Sequence, residues 1–200
     1  MSLPDQITEL APGKIASVVT YLQMFARPAP RNVAAPIGLS IQRQTAPGLD
    51  WYRDLYRLVG EDYLWFSRLA MADEDLAAHL ERDEVEVWSV VEDGRDMGLL
   101  ELEWFDNGDC ELSFFGLAPR LVGGGIGRWL MEHALERAFG RPIARFFVHT
   151  CTLDSPQALG FYERSGFVPY ARAIEIDNDP RNRGLIAAEK APQVPFLPST

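Results

Sequence analysis

Four of the five residues from 123 to 127 are glycine, and they stand directly ahead of an amphipathic segment. The stretch reads Arg120-Leu121-Val122-Gly123-Gly124-Gly125-Ile126-Gly127-Arg128-Trp129-Leu130. Glycine loses more backbone entropy on folding than any other residue and weakens helices. A run of it at a helix entry marks a place where the chain needs positive φ, or where something comes very close to the main chain. Downstream, Leu130, Met131, Ala134, Leu135, Ala138 and Phe139 recur at helical spacing, and Gly140 and Pro142 close the helix. A strand, a glycine loop and a helix is the layout of an anion site. The first helical N–H groups lack acceptors, and the helix dipole favours negative charge there.

The neighbouring segments decide which kind of fold carries the loop. Residues 85–93, 97–105 and 110–118 read as strands separated by Asp93-Gly94 and Asn107-Gly108, dipeptides that favour tight hairpins. This predicts an antiparallel meander. After the loop helix, residues 143–151 read as a buried strand. Ser155-Pro156 reads as the cap and first position of a short helix ended by Gly166, and residues 167–176 as a last strand. Ahead of the meander, residues 39–43 alternate as a strand, and residues 50–59 and 73–80 read as helices. The aromatic stretch 62–69 takes no assignment. Residues 1–36 are expected as an extension with an extra strand at 15–24 and a proline-rich connector at 27–36. Residues 37–176 form the main domain, and 177–200 an irregular, proline-rich tail packed on it.

Three kinds of glycine loop compete. A P-loop requires Gly-Lys-Ser/Thr after its last glycine, whereas Arg128-Trp129 follows here. A dinucleotide-binding loop requires GxGxxG in a parallel βαβ unit. Gly123 and Gly125 supply GxG, but Arg128 takes the third glycine position and the preceding strands are antiparallel. The order of three strands, glycine loop, helix, strand, helix and strand resembles the GCN5-related N-acetyltransferase (GNAT) superfamily. Its signature is Gln/Arg-x-x-Gly-x-Gly/Ala, opening the helix that holds the pyrophosphate of acetyl-CoA. Taking Gly125-Ile126-Gly127 as Gly-x-Gly puts Val122 at the Gln/Arg position, a departure. Arg120 with Gly123 and Gly125 gives a second register that keeps the arginine. The first is preferred because the helix must begin directly after the final glycine. DSPQALGFYERSGF (154–167) resembles the family's Asn-x-x-Ala-x-x-x-Tyr-x-x-x-Gly-Phe, with Ala158, Tyr162, Gly166 and Phe167 matched and Ser155 at the asparagine position.

The resemblance covers residues 40–176. It implies an α/β fold of the α+β kind, a mixed, mostly antiparallel sheet splayed at its centre with helices on both faces. It implies acetyl-CoA as co-substrate and no metal. The main chain of Val122, Gly123, Gly124, Gly125, Ile126 and Gly127 would hold the pyrophosphate, with charge from Arg128. Ser155, Phe115 and Leu117 would meet the pantetheine arm. Acetyl transfer needs a neutral amine, a stabilised oxyanion and a proton for the departing thiolate. Tyr162 matches the family's frequent general acid, or else packs beside the cofactor's arm. Glu111, on the strand before the loop, is the first candidate for the base. Strict alternation puts Glu111, Ser113, Phe115 and Leu117 on one face, the substrate side. Glu101 and Glu103, on the neighbouring strand, hold a water, bind a cationic substrate or are solvated strand polarity. Trp51, Tyr56, Tyr63, Trp65 and Phe66 either line an acceptor pocket or pack a core. His79, His133, His149 and Cys151 are read as structural.

The implied activity is N-acetyl transfer to a primary amine of a small molecule or peptide, directly within a ternary complex, since no activated nucleophile is evident. Two other readings stay open: an acyltransferase using a longer acyl-CoA or an oxygen acceptor, and a non-catalytic CoA-binding sensor or interaction domain. Composition narrows the partners. Nineteen basic against 29 acidic residues give a net charge of −10, which argues against nucleic acid and anionic membranes and suits a cationic substrate. No apolar run spans a bilayer and the first residues lack a secretory pattern, so a cytoplasmic monomer or homodimer is expected. The two cysteines, Cys110 and Cys151, mark opposite ends of two strands expected to run parallel. They should stand on the order of 20 Å apart, beyond the roughly 7 Å a disulfide allows.

Overall fold

The computed structural model describes residues 7–199. Residues 1–6, on which the reading of the chain start partly rests, lie outside the described residues, as does Thr200. Seven strands form one sheet: β1 (Lys14–Met24), β2 (Leu39–Gln44), β3 (Val85–Glu92), β4 (Arg95–Trp104), β5 (Asp109–Leu117), β6 (Arg145–Cys151) and β7 (Val168–Asn178). Their order is β2-β3-β4-β5-β6-β1-β7. Every neighbouring pair is antiparallel except β5–β6. The helices are α1 (Leu49–Gly60), α2 (Ser67–Ala70), α3 (Asp73–Leu80), α4 (Ile126–Phe139) and α5 (Ala158–Arg164).

The meander forms as its dipeptides demand. Asp93 and Gly94 have φ of 49° and 74°, the left-handed pair of a two-residue hairpin turn. Alternation along β4 then serves two cores. Leu100, Leu102 and Trp104 pack with Leu130, Met131 and Leu135 of α4 on one face. Leu99 packs on the other with Tyr52, Leu55 and Tyr56 of α1 and Leu76 of α3. A fully buried leucine contributes roughly 1.5–3 kcal/mol, so the double cover makes β4 the anchor of the sheet.

Two sequence expectations change. Residues 14–24 are an inner strand, not an appendage: β1 lies between β6 and β7, with Val19 opposite both Cys151 and Ala173. Ile15, Val19, Leu22 and Met24 are buried, so the segment is held by side chains as well as by two ladders. In addition, α5 begins at Ala158, three residues after Ser155, because residues 156 and 157 make a separate turn closed by Ala158 N–H on the Ser155 carbonyl. The tail docks on the α1 side. Ile186 and Ala191 join that core, and the Arg181 side chain pairs with Asp179 and donates to the carbonyls of Lys190 and Val194.

One half of the sheet is opened by two irregularities. Strands β5 and β6 pair only at Asp109↔Arg145, Cys110↔Phe146 and Glu111↔Phe147, and then diverge. Across β5 from there, the register slips: Glu101 faces Phe114, but Leu102 faces Leu112, so Ser113 is the extra residue of a bulge. The bulge breaks the predicted alternation. Phe115 and Leu117 pack on the α4 side, while Phe114 joins the α1 side. Glu111 and Phe115 therefore do not share a face. The cysteines are free, with Cys110 opposite Phe146 and Cys151 five residues further along β6.

Candidate active site

The gap between β5 and β6 opens into a cleft of about 1090 Å³. One wall is the glycine loop and α4, another is β5 from Glu111 to Leu117, and Phe161 and Tyr162 of α5 close the side. Tyr56, Tyr63, Trp65 and Phe66 line the far end.

The loop is shaped by its glycines. Gly123 and Gly125 have φ of +95° and +82°, a region other residues rarely enter. Helix α4 starts at Ile126 with Gly125 as its cap, so Gly127 lies inside the first turn rather than ahead of the helix. No side chain caps this end. Among the described residues, none of the backbone N–H groups from Gly123 to Gly127 has an acceptor. A Cβ at Gly125 would stand 3.4 Å from Arg128 Nη2, which places that guanidinium over the loop. Arg128 pairs with no carboxylate among the described residues. A row of free donors, no Cβ in the way and an unneutralised cation fit a diphosphate. Val122, at the family's Gln/Arg position, is exposed and lines the cleft, as does Ser155. Ile126 is buried in the core and Gly124 is exposed outside the cleft, so neither gives more than its main chain.

Tyr162 is buried between Phe115, Phe161 and Phe167. Its hydroxyl has no hydrogen-bond partner among the described residues. Burial, reinforced by the negative charge of Asp154, raises its pKa and keeps the phenol protonated. Asp154 is itself committed: it accepts from Trp65 Nε1 at 2.8 Å, Thr150 Oγ1 at 2.7 Å and Cys151 N–H at 2.9 Å.

The candidate carboxylates divide. Glu111 lines the cleft and accepts from His149 Nδ1 at 3.2 Å, across the first point of the splay. That bond first, and the charge of Glu111 with it, raises the His149 pKa despite partial burial. Glu103 lines the cleft and is paired with Arg82 at 2.6 Å. Glu101 does not reach the cleft. It is fully buried and accepts from Tyr52, from Arg68 Nη2 at 2.6 Å and from His79 Nε2 at 3.0 Å. Burial alone would raise its pKa, but these donors hold it below the usual carboxylate value. Both of its oxygens are engaged and it is sealed from the cleft, because residues from α1, the segment after it and α3 converge on it. Trp51 is also outside the cleft, bonded to Asp96. Sequence reasoning missed His149, read as structural, and Arg31, Glu175 and Asp177, which also line the cleft. The first is found only through strand register, and the others only once β1 and β7 are known to close the sheet.

Residues 50–167, more than half of the chain, match the model of the acetyltransferase (GNAT) family. The chain is a member of that family. The family's co-substrate is acetyl-CoA. Solved structures share its fold at low identity. A GCN5-related N-acetyltransferase from Sphaerobacter thermophilus is 15% identical with a TM-score of 0.58, over 84% of this chain and 52% of that one. A conserved protein of Staphylococcus epidermidis is 15% identical with a TM-score of 0.54, over 84% and 64%. An aminoglycoside acetyltransferase from an uncultured soil metagenomic sample, in complex with sisomicin, is 19% identical with a TM-score of 0.54, over 64% and 87%. The chain thus spans about half of the first of these proteins and less than two thirds of the second. No curated protein matches it in sequence. Among the described residues, no helix is long and apolar enough to cross a membrane, and no His, Cys, Asp and Glu side chains converge as a metal site.

Proposed function

We propose that this acetyltransferase moves the acetyl group of acetyl-CoA to a primary amine of a small molecule or peptide, directly within a ternary complex. The division of charge along the cleft supports an amine acceptor. Arg128 of α4 stands over the glycine loop, while Glu103, Glu111, Glu175 and Asp177 line the cleft from β4, β5 and β7. An anionic diphosphate is drawn to the first and a cationic amine to the second. The soil metagenomic neighbour, solved with sisomicin, is a precedent on this fold for a small-molecule acceptor.

Acetyl-CoA supplies a thioester carbonyl, whose carbon gains a bond to the amine nitrogen and loses its bond to sulfur, giving an acetamide and the CoA thiol. Glu111 and His149 take the proton from the nitrogen. His149 Nδ1 donates to Glu111, which leaves Nε2 as the accepting atom. Tyr162 holds its proton at Oη and delivers it to the sulfur, and its raised pKa suits that role. The cleft also contains Cys151, but burial and then Asp154 push its thiol pKa up. The thiol therefore stays protonated and is a poor nucleophile, in keeping with direct transfer. The test is thiol release by purified protein and acetyl-CoA. Release should depend on added primary amine, with the acceptor heavier by one acetyl group in mass spectrometry. Bound acetyl-CoA with no turnover against a broad amine panel would contradict the reading.

A further inference from the structure

The cleft holds more positive charge than a diphosphate needs. The loop N–H groups and Arg128 already face one anionic group, yet Arg31 and Arg164 also line the cleft. In a chain of net charge −10, guanidinium groups without close carboxylate partners stand out. Arg164 pairs with no carboxylate among the described residues. Its Nη1 lies 3.0 Å from where a Cβ of Gly160 would stand, so the absence of that side chain lets the guanidinium lie back along α5. Arg31 comes from the proline-rich connector between β1 and β2. The connector is pinned where Pro28 packs against Gly166, so closely that a Cβ at 166 would meet Pro28 Cγ at 2.8 Å. Three residues on, Arg31 donates through Nη2 to the Arg164 carbonyl, and its Nε stands 3.9 Å from Glu132 Oε1. Glu132 is one helical turn beyond Arg128 on α4. Arg31 and Arg164 therefore meet beside α5, with Arg31 one turn along α4 from Arg128.

That surplus of cations has a chemical counterpart. Coenzyme A carries its thioester at one end, then the diphosphate, then a phosphate ester on the ribose 3′ oxygen. We propose that Arg31 and Arg164 form the site for this 3′-phosphate, so that the connector makes the protein selective for CoA over its 3′-dephospho form. The inference rests on the reading that the cleft takes acetyl-CoA. The geometry suits it: two forked guanidinium groups from different segments can grip one phosphate from two sides. Only a weak 3.9 Å contact with Glu132 has to be loosened.

Titration calorimetry with acetyl-CoA and 3′-dephospho-acetyl-CoA tests the proposal without relying on turnover. Wild-type protein should bind acetyl-CoA at least about tenfold more tightly, the scale of one charge-assisted contact. Arg31→Ala should lower acetyl-CoA affinity to the dephospho level and leave 3′-dephospho-acetyl-CoA binding unchanged. Arg164→Gln, a milder change on α5, should do the same. Equal affinities in the wild type would overturn the proposal and leave the acetyltransferase reading intact. So would an equal loss for both ligands in the variants. Failure of folded wild type to bind either ligand would overturn both.

Discussion

Glu101 and Glu111 stand on paired strands of one sheet, yet they do opposite work. Glu101 is sealed beneath the acceptor end by Tyr52, Arg68 and His79. Glu111 opens on the cleft with His149 as the partner of its carboxylate. A buried carboxylate is tolerable only when donors surround it, and the burial that requires them also shuts a substrate out. A carboxylate with one movable partner keeps its reactivity at little benefit to the fold. The bulge at Ser113 separates these fates, because it starts the divergence of β5 just after Glu111 and swings Phe114, not Phe115, over the Glu101 side.

The largest expected effect of breaking this contrast is on stability. Glu101→Ala leaves Arg68 and Tyr52 without their acceptor and should lower the unfolding free energy by about 3–5 kcal/mol. Glu111→Ala should lower it by less than about 1 kcal/mol. Urea denaturation of both variants measures the difference. Next in size is the proton for sulfur. Tyr162→Phe keeps the ring packing and removes the donor, so kcat should fall roughly 10²-fold with acetyl-CoA affinity unchanged. Steady-state kinetics paired with calorimetry separates the two. Unchanged turnover would leave Tyr162 a packing residue.

Two smaller effects sharpen the comparison. Glu111→Gln should lower kcat/KM about tenfold, the scale of one hydrogen bond to a charged group. The raised His149 pKa places the acidic limb of the pH–rate profile above the ordinary histidine value of about 6.5. Loss of Glu111 should move that limb to lower pH, and an unmoved limb would remove the pair from the chemistry. For Glu101 the sign runs the other way. Its folded-state pKa is depressed, so its contribution is complete above about 4.3 and is lost as pH falls through the folded value. Glu101→Gln should flatten the acid side of the stability curve.

The proposed cofactor wall was legible because its chemistry is made of backbone. Free N–H groups and close approach demand glycine at particular positions, and Gly123 to Gly127 show that in any context. Tyr162 was legible because Ala158, Gly166 and Phe167 frame it at fixed spacing. The acceptor wall was not. Its members come from β4, β5, β6, β7 and the segment after α1, and which way each faces depends on a one-residue slip that no local pattern records. Glu101 read as a water- or substrate-binding residue or as strand polarity, because its neutralising partners are 22 to 49 residues away in sequence. His149 read as structural for the same reason. The place of β1 was hidden too, since a strand's period says that it pairs and not with what.

The central claim is that the glycine loop holds the diphosphate of acetyl-CoA. Gly125→Asp tests it most directly, because it places a carboxylate and a Cβ at the mouth of α4, where φ is +82° and Arg128 lies overhead. Acetyl-CoA is titrated calorimetrically into wild type and into the variant, with folding of both verified by circular dichroism. The account predicts saturable binding to the wild type and a steep loss of affinity in a folded variant. Equal affinity in the two proteins would contradict it.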